Sequence, residues 1–242
     1  MGWGVSESGI RRQRSGDTLH VTLDRPERRN AIGAAEFNAL EGLIAELAND
    51  RDVTLVTITG SGPVFCAGAD LALVRKAQEE IGGALRQVDR GSALIEGLER
   101  LPQMVVASLN GPAVGLGLHI ALAADFIIAE RGAFLWLPEA AMGLPEVMCQ
   151  RLLTERLGRH RAFEVTALGL RVTAEEAQAA GLVGACVDGQ DGLTAASAEL
   201  CERLRQVSPV VRAVIKQAGI AAGSRFDRDA QLRAVAATQR NT

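Results

Sequence analysis

The sequence predicts an α/β protein, a strand-rich core built from parallel crossover units and followed by a helical C-terminal part. Three observations carry this reading. The runs Val53 to Thr59 and Met104 to Leu109 are short, rich in β-branched residues and nearly continuous in apolar character, as in strands covered on both faces. Stretches of helical spacing separate them, so strand, helix and strand alternate twice, which argues for parallel strands with right-handed connections. After Glu146 the pattern is mostly helical, and the predicted division is a core over residues 1–172 and a helical region over 173–242.

Taken in order, Ile10 to Arg14 and Thr18 to Leu23 flank Ser15-Gly16-Asp17, and Leu19, Val21 and Leu23 alternate with polar residues, which predicts a hairpin. Phe37, Leu40, Ile44 and Leu47 recur at helical spacing and predict an amphipathic helix up to Asp50. After the strand ending at Thr59, Gly60-Ser61-Gly62-Pro63 is a loop, and Phe65-Cys66-Ala67-Gly68-Ala69-Asp70 runs through small residues into another helical stretch. Leu85, Val88, Ile95 and Leu98 predict a long helix from Gly83 to Arg100. The strand from Met104 then meets Asn110-Gly111-Pro112. Gly115 and Gly117 flank Leu116, and Leu118 to Ala124 reads as a buried helix. Phe126 to Ala129 and Ala133 to Leu135 are predicted short strands, followed by a loop carrying Trp136, Pro138, Glu139, Gly143, Pro145 and Glu146. Thr173 and Glu176 form a capping-box pattern, Gly181 is a helix stop, and Leu193 to Gln206 and Ala230 to Thr238 supply further helices.

Composition narrows the function. A net charge of −3 gives no whole-chain attraction to nucleic acid or to an anionic membrane. Met1 to Gly9 lacks an apolar signal core, and the most apolar run is too short to span a bilayer, so the expectation is a soluble, cytoplasmic protein. Cys66, Cys149, Cys186 and Cys201 are scattered without CxxC spacing, which predicts reduced core residues rather than a metal site or disulfides.

The chemistry centres on the turn at Gly115 to Gly117. A helix that starts after such a turn presents unpaired amides, able to hold a phosphate, a carboxylate or a developing oxyanion. Gly115-Leu116-Gly117-Leu118-His119-Ile120 begins like a dinucleotide fingerprint but lacks its third glycine, and no P-loop, GxSxG elbow or HExxH helix occurs. If the amides of Ala69 and Leu116 converge, they form an oxyanion hole. The residues alone leave a tight structural turn equally open.

PVFCAGADL, LNGPAVGLGLHIALAADFIIA, LPEAAMG and TAEEAQAAGLV, with LDRPERRNA nearer the N-terminus, together resemble the crotonase (enoyl-CoA hydratase/isomerase) superfamily over nearly the whole chain. The resemblance implies a spiral of ββα repeats with C-terminal helices that build trimers, often paired into hexamers. It also implies a CoA thioester as substrate, with coenzyme A entering as part of the substrate and not as a cofactor, and a thioester oxygen held by the amides of Ala69 and Leu116. Carried over by position, Cys66, Ala67, Gly68 and Asp70, with Gly115, fall where the family meets the CoA moiety. Arg28 or Arg29 falls near its phosphates, although both arginines read equally as a solvated face. Glu139 falls where hydratases and isomerases similar to this chain keep a catalytic glutamate.

Departures accompany the match. The family's second glutamate is replaced by His119, one turn from Leu116 on the same helical face, where the positive helix end is expected to disfavour its charged form; it reads equally as a pocket residue or as a packed core residue. The family's glycine-rich run is replaced by Glu146-Val147-Met148-Cys149, and Glu146 falls close to a second acid of dienoyl-CoA isomerases, or is a plain helix N-terminal carboxylate. The expected function is an acyl-CoA enzyme that stabilises a thioester enolate, of enoyl-CoA isomerase or hydratase type, with Glu139 as acid/base and Glu146 and His119 as further candidates. A decarboxylating or carbon-joining relative and a non-catalytic acyl-CoA binder stay open beside it.

Overall fold

Ile10–Ser15 (β1) and Thr18–Leu23 (β2) pair antiparallel around Gly16, with Leu19, Val21 and Leu23 buried and His20 and Thr22 half-buried between them. The computed structural model, which describes residues 8–221 and 226–239, continues from this hairpin. Further strands follow at Leu55–Gly60 (β3), Met104–Leu109 (β4), Ala113–Val114 (β5), Phe126–Glu130 (β6), Phe134–Trp136 (β7), Val172–Thr173 (β8) and Ala185–Val187 (β9). The helices are Ala34–Leu47 (α1), Leu71–Glu79 (α2), Gly83–Glu99 (α3), Leu116–Ala123 (α4), Gln150–Leu157 (α5), Arg159–Leu168 (α6), Ala174–Ala179 (α7), Gly189–Arg205 (α8), Pro209–Ala221 (α9) and Arg228–Gln239 (α10).

The main sheet runs β1-β2-β3-β4-β6-β9, parallel from β2 onward, and a smaller sheet runs β5-β7-β8. This is the predicted α/β class, with mixed sheets and helices toward the C-terminus. The apolar runs are continuous because both faces of the main sheet are covered. Val56, Ile58, Val105 and Ala107 join the principal core with Phe37 and Leu40 of α1 and Ile95 of α3. On the other face Leu55, Met104, Val106 and Ile128 pack on Leu193 and Cys201 of α8. Each branched side chain so buried contributes about 1.5–3 kcal/mol, and every position of β4 is buried.

Several boundaries differ from expectation. The first helix ends at Leu47 and not at Asp50, and α4 begins at Leu116 and not at Leu118. Trp136 closes β7 instead of lying in the loop. β8 and β9 carry no sequence signal, because two or three residues are too few to show a period; β9 extends the main sheet from within the segment read as helical. Residues 1–7, read as lacking a signal core, lie outside the described residues, as do 222–225 and 240–242. No helix among the described residues is long and apolar enough to cross a membrane.

Candidate active site

Three segments distant in sequence meet where β3 and β4 end. Asn110 accepts from the Gly60 amide at 2.9 Å and donates to the Gly62 carbonyl at 2.7 Å. Asn30 donates to the carbonyls of Ser61 and Val64 at 2.9 and 2.7 Å. Arg29 and Asn30 both adopt left-handed backbone, φ 53° and 56°, a region asparagine tolerates and arginine occupies only under constraint. Main-chain bonds complete the seam: the Val114 amide donates to Cys66, Ile32 to Gly68 and Asp70 to Ile32, all within 2.8 to 2.9 Å.

Glycine is required at two points of this seam. Gly68 has φ 90°, and a β-carbon there would lie 2.8 Å from the Val114 carbonyl and 3.5 Å from the Leu116 nitrogen. Gly115 has φ 51°, and a β-carbon there would lie 2.6 Å from Oε1 of Glu139. Only glycine meets both the dihedral and the space. Leu116 is the first residue of α4, and no hydrogen bond among the described residues takes up its amide or that of Ala69. Two free donors thus remain where the loops join, one of them at the positive end of a helix.

Glu139 opens a 3₁₀ turn, Glu139–Met142, that Gly143 closes in left-handed conformation. The residue is half-buried, but its Oε2 is shut off from solvent without a hydrogen-bond partner. Burial, reinforced by the Glu146 carboxylate, pushes its pKa up to about 7. Glu146 is buried ahead of α5, its Oε1 accepting from the Cys149 amide at 3.3 Å and its Oε2 lying 3.2 Å from Nε2 of His119. That approach is angled away from good hydrogen-bond geometry, so the contact is chiefly coulombic. Burial opposes charge on both groups. Their mutual attraction outweighs it, holding His119 above and Glu146 below their ordinary values, with Glu139 adding to the effect on His119. Against the expectation that the helix end disfavours the charged form of His119, the Glu146 carboxylate at 3.2 Å favours it.

One cavity of about 760 Å³ is lined by Arg28, Arg29, Ala67, Gly68, Ala69, Asp70, Gly115, Leu116, His119, Glu139 and Glu146. Cys66 stands apart from it. Its thiol is buried, donates to the Asn30 carbonyl at 3.1 Å and is pushed up to about 12 by burial, so it braces the loop instead of facing the cavity. Asp70 lines the cavity with its carboxylate turned to cap α2, accepting from the Ala72 amide at 2.9 Å. Met148, from the run that replaces the family's glycines, also lines the cavity. The sequence reading missed Arg171, whose guanidinium lies over the rings of Phe134 and Trp136, and Ser92 and Gln231, which line the cavity too. They sit on ordinary helices, loops and helix flanks that carry no motif. His119, Glu146 and Cys149 bring ligand-type atoms within 4.8 Å of one another. Burial and the neighbouring carboxylates raise the Cys149 thiol well above its ordinary value.

Comparisons with known proteins bear on the family and the fold. The pattern of the enoyl-CoA hydratase/isomerase family matches residues 13–241. A Bacillus subtilis relative, provisionally named an enoyl-CoA hydratase/isomerase, is 38% identical over 166 residues, 67% of this chain and 63% of that protein, so the match spans a little under two thirds of its length. The carnitinyl-CoA dehydratase of Salmonella enteritidis is 35% identical over 218 residues, 88% of this chain and 80% of that protein. Among solved structures, the enoyl-CoA hydratase of Bacillus anthracis superposes with a TM-score of 0.80 at 28% identity, over 96% of this chain and 90% of that one. By pattern, by relatives and by fold, this chain belongs to the enoyl-CoA hydratase/isomerase family.

Proposed function

We propose that the chain is an acyl-CoA enzyme that stabilises a thioester enolate, of enoyl-CoA isomerase or hydratase type, with Glu139 as its main proton-transferring group. The observation that carries the reading is the Glu139 carboxyl packed on Gly115, directly before the free amide of Leu116. A thioester oxygen accepting from Leu116 and Ala69 would gain the donors that an oxyanion requires, each worth roughly 3 kcal/mol at the transition state. Its acidic carbon would then lie within reach of Glu139. That carboxyl, raised to about 7, is suited to take a proton near neutral pH and to return it. Isomerisation returns the proton at a different carbon of the same acyl chain. Hydration instead adds water across the double bond, a second reading favoured by relatives such as the 2,3-dehydroadipyl-CoA hydratase of Escherichia coli, 31% identical over 215 residues. The mouth residues Arg28, Arg29 and Arg171 offer cations to the phosphates of the CoA moiety.

Assaying a panel of CoA thioesters for hydration, isomerisation and decarboxylation, beside calorimetric binding, tests the proposal. Glu139→Gln should lower turnover by about 10²- to 10⁴-fold while binding survives, because the two amides do not depend on that carboxylate. Wild-type turnover in Glu139→Gln would remove Glu139 from the mechanism. Binding without turnover of any thioester would favour an acyl-CoA binder, and no binding by folded protein would end the CoA reading.

A further inference from the structure

The loop that carries Glu146 is held by the C-terminal helix of the same chain. Gln231 of α10 is buried at 6% exposure; its Oε1 accepts from the Val147 amide at 2.8 Å and its Nε2 donates to the Pro145 carbonyl at 2.8 Å. One side-chain amide therefore binds the peptide groups on both sides of Glu146. The Asp227 amide adds a tie to the Met148 carbonyl at 2.9 Å, and the Phe226 ring stands edge-on to the His119 ring, 6.4 Å between centroids. Arg228 fastens the start of α10 to Asp89 and Glu96 of α3.

We infer that Gln231 is a positioning residue, which holds the 145–149 loop so that the Glu146 carboxylate stays against His119 at the wall of the cavity. The loop has no strand or long helix of its own to satisfy Val147 N–H and Pro145 C=O, and buried peptide groups need partners. A glutamine supplies one acceptor and one donor at a separation that serves both. A fully buried carboxylate keeps its charge only while its partners are in place. For Glu146 these are His119 and the amide and thiol of Cys149. Other ionisable groups around His119 are Glu139 from the 3₁₀ turn and the Cys149 thiol, while Asp89, Glu96 and Arg228 of the adjoining helices are bound to one another. The inference rests on the proposed role of Glu139 only for its effect on turnover; the positioning itself does not need it.

The chain has three histidines, so the His119 imidazole can be followed by NMR across a pH titration, with His20 and His160 as internal controls and His119→Ala for assignment. In Gln231→Leu the His119 midpoint should fall by about one pH unit, as expected when a charge partner is lost. Turnover should fall on the order of ten- to a hundred-fold with KM little changed, as for a misplaced catalytic group. The pH profile should shift with it. If Gln231→Leu does not fold, Gln231→Asn, one methylene too short to reach both peptides, is read in the same way. An unmoved His119 midpoint in a folded variant overturns the inference, whether or not turnover changes. The titration needs no substrate, so failure of the Glu139 reading and failure of this one are told apart.

Discussion

At His119, burial and charge pull in opposite directions, and the consequence is measurable as stability against pH. Its folded pKa lies above the ordinary 6.5. The pair's contribution is therefore complete below pH 6.5 and lost as pH rises through the folded value. Glu146, held below its ordinary 4.5, contributes above that pH and loses its share as pH falls through the folded value. Glu139 runs the other way. Between 4.5 and about 7 the folded chain holds a proton that the unfolded chain has released, so this group costs stability as pH rises across that window. Urea midpoints from about pH 6 to 9 should therefore fall in wild type, and fall less in His119→Ala. Parallel curves would show that the pair is uncharged. If Glu139 acts as a base, kcat/KM should rise through about pH 7, and a limb near the ordinary carboxylate value would contradict the burial seen here.

Between β5 and α4 the single residue Gly115 sets the entry of the helix, and with it the position of Glu139. Gly115→Ala places a methyl 2.6 Å from Oε1 of Glu139 at φ 51°. The backbone strain should cost about 1–3 kcal/mol of stability, and turnover should fall further than that cost implies because the carboxyl is displaced. Chemical denaturation beside kinetics separates the two, and unchanged turnover would show that the turn can relax. Helix α9 is tied to the main sheet by Lys216, whose buried ammonium donates to the Gln103 carbonyl and to Oδ2 of Asp125, both at 2.7 Å. Asp125 in turn accepts from the Val105 amide at 2.8 Å. Lys216→Met removes the cation from a carboxylate only 13% exposed and should cost about 3–5 kcal/mol, read as a lower denaturation midpoint. A loss under 1 kcal/mol would show that α9 is held mainly by its apolar contacts.

For the whole molecule, among the described residues, α9 presents Val210, Val211, Val214 and Ile215 to solvent along one helix, Val210 at 74%. Such a patch points to association, and we propose a homotrimer or hexamer. Light scattering at micromolar concentration should report it. Val210→Lys with Val214→Lys should lower the mass, and a monomeric wild type would leave α9 with another role. What the sequence determined by itself was local. Continuous apolar runs located β3 and β4, alternation located the hairpin, and small-residue runs located the two loops whose amides stay free, because period and steric permission are properties of neighbouring residues. Likeness of motif added Glu139 as a candidate. The tertiary structure alone decided that His119 meets Glu146, that Cys66 turns away from the cavity, and that Gln231 reaches back 86 positions to Pro145. Those outcomes depend on which distant groups share a low-dielectric space, and no pattern along the chain encodes such a neighbour.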